Sequence, residues 1–100
     1  MSKLQFTITS EVWKWPGFAG WHFITLPKKV SAEIKKLGVS YGAGFVKVEV
    51  TLKHSTWTTA LFPHKDSEGY LLSIKKKVRE KENIWEGDRV SVKINVCSNG

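Results

Sequence analysis

The sequence predicts a mostly-β fold: a small closed barrel built from two pseudo-symmetric β-β-α-β halves with two short helices. Three observations carry this prediction. Apolar and polar residues alternate in several segments, the period of a strand with one buried face. The same order of elements occurs twice with no linker between. Two stretches of the chain resemble each other at a fixed spacing.

The elements follow in order. Leu4, Phe6 and Ile8 alternate with Lys3, Gln5, Thr7 and Thr9, so a strand with these three residues inward is expected. A turn at Pro16–Gly17 precedes WHFITLP, a strand over residues 21–27 ended by Pro27. Ser31 has the character of a helix N-cap and Gly38 that of a stop, predicting a helix over about residues 31–37. GVSYGAG, residues 38–44, reads as a flexible loop. Val46, Val48, Val50 and Leu52 then face one way, with Lys47, Glu49, Thr51 and Lys53 opposite. A turn near His54–Ser55 leads to TWTTALFP, a strand closed by Pro63, then to the polar loop HKDSEG and the short strand YLLSI. KKKVREKEN reads as a charged helix, its apolar side formed by Val78 and closed by Trp85. After a turn at Gly87–Asp88, Val90, Val92, Ile94 and Val96 point inward along the last strand.

The repeat is visible residue by residue. FITLPKKV (23–30) aligns with LLSIKKKV (71–78) 48 residues on, and Val46-Val48-Val50 with Val90-Val92-Ile94 at a spacing of 44. Two units too small to bury their apolar faces alone can do so by interlocking. Closure also removes the exposed edges of Val-rich strands.

One hundred residues, 41% of them hydrophobic and twelve aromatic, suit one domain over residues 1–100 with a small core. No apolar run reaches the ~18 residues of a membrane span, and MSKLQFTITS has neither signal- nor transit-peptide character. With a single cysteine, Cys97, these features predict a cytoplasmic protein without membrane association. A monomer is expected, because the two halves complete a barrel within one chain.

Enzyme chemistry finds no support. His22, His54 and His64 lack ligand spacing, Cys97 has no CxxC partner, and the HKD of residues 64–66 has no accompanying nucleophile motif. GVSYGAG lacks the Lys-Ser/Thr end of a phosphate loop, and GFAG is no dinucleotide fingerprint. No catalytic, cofactor or metal residue is predicted.

Charge and rings remain. The net charge is +7, with sixteen Lys and Arg against nine Asp and Glu. Such a balance favours polyanionic partners. Lys28, Lys29, Lys76, Lys77 and Arg79 fall on the two helical segments and would form two basic ridges suited to phosphate contacts. Trp21, Trp57 and Trp85 are read as packed scaffold. Trp13 and Trp15 flank Lys14 on one strand face, opposite the inward set of Leu4, Phe6 and Ile8 unless a bulge near Ser10 resets the face. Two rings beside lysines can stack on bases or sugars.

WKWPGFAGWHFITLP, VEVTLKHSTWTTALFPHKDSEGYLLSIKKKVR and EGDRVSVKI together resemble the DUF1905 family, a domain of unknown function, over about residues 4 to 96. The resemblance implies a double-split β-barrel related in fold to AbrB/MazE-like transcription factors. It implies no catalytic residue. Similar domains are sometimes joined to a second domain named for bacteriocin protection, for which this barrel leaves no room in the chain.

The leading expectation is therefore a non-enzymatic binding or accessory module meeting a polyanion such as nucleic acid through its helix lysines. The alternative is a protein or small-molecule partner at the Trp13/Trp15 surface. An enzyme of unknown reaction is the second alternative.

Overall fold

Alternating segments become strands where one face meets a shared core. The computed structural model describes residues 4–17, 20–42, 44–64 and 69–97. Its elements are β1 (Gln5–Glu11), β2 (Trp13–Lys14), β3 (His22–Thr25), α1 (Lys28–Lys36), β4 (Val46–Leu52), β5 (Ser55–His64), β6 (Gly69–Ser73), α2 (Lys76–Glu82) and β7 (Arg89–Val96). The strands form one sheet in the order β1-β7-β4-β5-β6-β3-β2, antiparallel at every pairing. This sheet curls into a half-barrel.

The curl comes from strands that divide their partners. Residues 55–61 of β5 pair with β4, whereas residues 62–64 pair with β6. In the same way β1 pairs with β7 and β2 with β3, and only Val12 separates β1 from β2. Val12 leaves the ladder because its backbone is engaged elsewhere: its N–H donates to the Asp88 carbonyl at 2.8 Å, and its carbonyl accepts from the Gly87 N–H at 2.8 Å. Gly87 has φ +93°, a conformation that side-chain-bearing residues rarely adopt.

Inside the curl lie Phe6, Ile8, the alternating valines of β4 and β7, Leu61, Leu72 and the helix residues Ile34 and Val78. The inward phase of β4 and β7 is the one their sequence predicts. Phe6 and Ile8 are also inward, but Leu4 is 44% exposed. It precedes β1, and although its carbonyl accepts from the Val96 N–H at 2.8 Å, its side chain lies outside the core cluster.

Other boundaries also differ from expectation. Helix α1 begins at Lys28 rather than near Ser31, and its N-cap position is Pro27, with φ −57° and ψ 148°. Proline's fixed φ suits a helix start, and its lack of an N–H costs nothing there. Ser31 is therefore buried within the helix, where its Oγ accepts from the Tyr70 N–H at 3.1 Å. The strand expected over residues 21–27 is shorter, and Trp21 lies outside it. The strand expected to close at Pro63 continues to His64. Beyond Leu61, β5 no longer pairs with β4, so Pro63 occupies an unpaired edge where a missing N–H is tolerated. Within the segment read as a flexible loop, Tyr41 and Phe45 form an isolated antiparallel bridge.

Of the three tryptophans read as scaffold, Trp57 alone is buried. Its indole N–H has no partner among the described residues. Trp85 is 67% exposed instead of closing the apolar side of α2. Its backbone N–H donates to Asp88 Oδ2 at 2.8 Å and its Nε1 to Asn83 Oδ1 at 3.0 Å, which hold it in the α2–β7 turn and off the helix face.

One buried polar pair ties α2 to the sheet. Ser55 Oγ donates to Glu82 Oε2 at 2.6 Å. This bond is the main cause holding the Glu82 carboxyl below its ordinary value, opposed by burial and aided by the His54 backbone N–H. A carboxylate with a lowered folded-state pKa adds stability above its unfolded value, near 4.3, and that stability disappears as pH falls through the folded value. Ser55→Ala is expected to destabilise the protein clearly at pH 7 and much less at pH 2.5. Urea midpoints of both proteins at the two pH values test this. A pH-independent difference would show that the bond does not favour the charged carboxylate.

Candidate binding surface on the outer sheet face

Strand β3 breaks the alternation found elsewhere. Phe23 and Ile24 are consecutive, so they face opposite sides of the sheet, yet both are buried. In β6, Leu71 and Leu72 repeat the pattern. Ile24 and Leu72 belong to the core, whereas Phe23 and Leu71 lie outside that cluster. On the outer face no helix covers them; aromatic side chains do.

The rings form one continuous layer. Phe23 lies 5.3 Å from Trp13, 5.8 Å from Trp15, 6.0 Å from Trp21 and 6.3 Å from Phe62, measured between centroids. Trp15 meets His64 edge-on at 5.8 Å. Phe62 meets Phe45, which meets Tyr41. These separations and tilts are those at which ring quadrupoles attract.

Hydrogen bonds fix one wall of this layer. Trp13 Nε1 donates to Thr25 Oγ1 at 3.0 Å, Ser10 Oγ donates to the Thr25 carbonyl at 3.1 Å, and Trp15 N–H donates to the Trp21 carbonyl at 2.8 Å. Trp13 and Trp15 are consequently half-buried and opposite the inward set, as the strand phase predicts. Trp21, expected to be packed, is the uncovered ring, at 55% exposure. It precedes β3, so only one side of its ring meets the sheet. Between Trp15, Trp21, Phe23, Phe62, Pro63, His64 and Leu71 lies a groove of about 440 Å³.

Two basic cavities each share lining residues with the groove, one through Trp21 and the other through Pro63 and His64. One, about 460 Å³, is lined by Gly20, Trp21, His22, Ser73, Ile74, Lys75, Lys76 and Arg79. The other, about 480 Å³, is lined by Lys28, Ser31, Ala32, Lys35, Pro63, His64, Gly69 and Tyr70. The register places them apart. Ile74 N–H donates to the His22 carbonyl at one end of the β3–β6 ladder, and Leu26 N–H donates to the Tyr70 carbonyl at the other. These ends are four residues apart on each strand, roughly 13 Å at ~3.3 Å each. None of the described residues lining the groove or either basic cavity is acidic.

Arg79 organises its cavity. Its Nε donates to the Ile74 carbonyl and its Nη2 to the Gly20 carbonyl, both at 3.1 Å. These bonds hold the segment before Trp21 against α2. A guanidinium carries five N–H donors in a fixed fork, so these two bonds leave donors to offer a ligand. His22 Nδ1 also contacts the Gly20 carbonyl, at 2.6 Å.

Of the residues predicted to bind, Trp15, Lys28, Lys76 and Arg79 line the groove or its end cavities. Trp13 backs the groove through Trp15 and Phe23. Lys14, Lys29 and Lys77 are exposed but line none of the three cavities. The lysines therefore form no single face; they are divided by the aromatic layer. Trp21, Phe62 and His64 lie outside the predicted set. The loop residues Lys65, Asp66 and Glu68 fall outside the described residues. No group of three His, Cys, Asp or Glu able to hold a metal occurs among the described residues, and no described helix is long and apolar enough to cross a membrane.

A family model described as Domain of unknown function (DUF1905) matches residues 9–94. A comparison with curated proteins finds no match.

Proposed function

The chain belongs to the DUF1905 family, a domain of unknown function, and we propose from its own geometry that it is a binding module whose ligand combines a flat ring with anionic groups. The observation that carries this reading is that the aromatic groove shares Trp21 with one basic cavity and Pro63 and His64 with another. The exposed Trp21 face offers a stacking platform, and Lys28, Lys35, Lys75, Lys76 and Arg79 offer cations beside it. The two surfaces foreseen as rivals, helix lysines and tryptophans, are parts of one site in this reading.

The scaffold proposed with it is a closed barrel of two duplicated halves. The ends of the strand order, β1 and β2, are joined through Val12 alone. Ile24 stands opposite Leu72, and Val50 opposite Ile94. These are the positions that the sequence repeat makes equivalent, as a twofold axis through both ladders requires.

Titration with AMP, adenosine and inorganic pyrophosphate, followed by tryptophan fluorescence and indole NMR signals, tests the site. AMP is expected to shift the Trp15 and Trp21 signals at lower concentration than either fragment, and Trp21→Ala to abolish the effect. Equal responses to AMP and pyrophosphate, both insensitive to Trp21→Ala, would remove the ring from the reading.

A further inference from the structure

Resting on that reading, we infer that the ligand is a single-stranded nucleic acid lying lengthwise over the β3–β6 ladder. The geometry excludes a single nucleotide as the full occupant. The two basic cavities are lined by residues from opposite ends of the ladder, roughly 13 Å apart by strand rise. One phosphate group reaches one of them. A stacked strand at about 3.4 Å per nucleotide covers that distance with about four nucleotides, placing phosphates at both ends and base faces over the rings between.

A single strand fits better than a duplex. Bases within a duplex are already stacked on both faces and present only their edges in the grooves. The groove presents ring faces and apolar carbons, with His64 and the indole N–H groups of Trp15 and Trp21 as its hydrogen-bonding side-chain groups. Every base has a π-face, so such a platform takes bases with little regard to sequence. The end cavities are equally undemanding. Four of their five cationic side chains are lysines, point charges on flexible stems rather than planar forks. Together with the net charge of +7, this favours a phosphodiester backbone held without base-edge readout.

Fluorescence anisotropy with 5′-labelled thymidine oligonucleotides of two, four, eight and twelve nucleotides, an eight-base-pair duplex, and AMP as competitor tests the inference. Affinity is expected to rise steeply up to about four nucleotides and slowly beyond. The eight-mer should bind at least tenfold more tightly than the duplex. Its log affinity should fall with log salt at about 0.7 per phosphate contacted, and Lys35→Ala or Lys76→Ala should each reduce that slope by one contact. Trp21→Ala should weaken eight-mer binding about 5- to 150-fold, the range of base–aromatic stacking, with an unchanged melting temperature because the ring is exposed.

If AMP binds as tightly as the eight-mer, the extended strand is overturned while the ring-and-anion site survives. If the duplex binds as well as the single strand and Trp21→Ala has no effect, phosphate contact alone explains binding and the inference fails. If no oligonucleotide binds at low salt and light scattering shows a dimer that Trp21→Ala dissociates, the groove is an interface between copies of this chain, and both readings fall.

Discussion

Phe23→Ala is expected to lower the unfolding free energy by about 3–5 kcal/mol, the cost of emptying a large aromatic site. Phe23 is 4% exposed and touches Trp13, Trp15, Trp21 and Phe62. It is the ring on which that layer converges. Small domains have only ~5–15 kcal/mol in total, so this one substitution on the outer face removes a large part of it. Neighbouring rings cannot collapse freely into the gap, because Trp13 is tied to Thr25 and the Trp15 backbone to Trp21. Urea unfolding should show a lower midpoint with little change in slope, together with loss of the near-UV tryptophan signal. Trp21→Ala, one ring away but exposed, should leave the unfolding free energy within ~0.5 kcal/mol of its original value. Similar stabilities for the two variants would mean that the aromatic layer is ornament on an independent core.

The second large effect lies on the inner side of the same ladder. Ile24 and Leu72 are fully buried and stand opposite each other. Either residue replaced by alanine is expected to cost about 2–5 kcal/mol. The double variant should cost less than the sum, by about 0.5–3 kcal/mol, because cross-strand partners lose one shared contact and open one shared cavity. A four-protein cycle by urea unfolding measures this. Strict additivity would show that the two side chains do not share a packing site.

These two substitutions also mark what the sequence makes legible. β4 and β7 are read from strict alternation, since only one of their faces is buried. Phe23 and Leu71 belong to strands buried on both faces, where alternation disappears. The signal is present: Phe23-Ile24 and Tyr70-Leu71-Leu72 are consecutive rather than alternating apolar residues, the pattern of a doubly covered strand. Nothing local says what the second cover is, because the rings converge from β2, from the segment before β3 and from β5. Trp21 departs from expectation for the same reason. Its place beside a repeated segment suggests scaffold, but its exposure depends on β3 starting one residue later. Helix α1 was shifted because Pro27 and Ser31 both carry start signals, and tertiary contact assigns Ser31 to Tyr70. The lysine clusters were visible; their division between two ends of a groove depends on the β3–β6 register.

The pairing of the first strand with the last has a consequence for the newly made chain. Gln5 stands opposite Asn95, and the Val96 N–H donates to the Leu4 carbonyl at 2.8 Å. At a translation rate of about 5–20 residues per second, β1 waits roughly 5–20 s for the strand it pairs with. Throughout that interval Phe6 and Ile8 have no β7 to cover them, and β4 lacks the neighbour on its other edge. The sheet can be completed only after residues 89–96 have emerged, so the pairing of β1 follows the synthesis of the whole sheet instead of accompanying it.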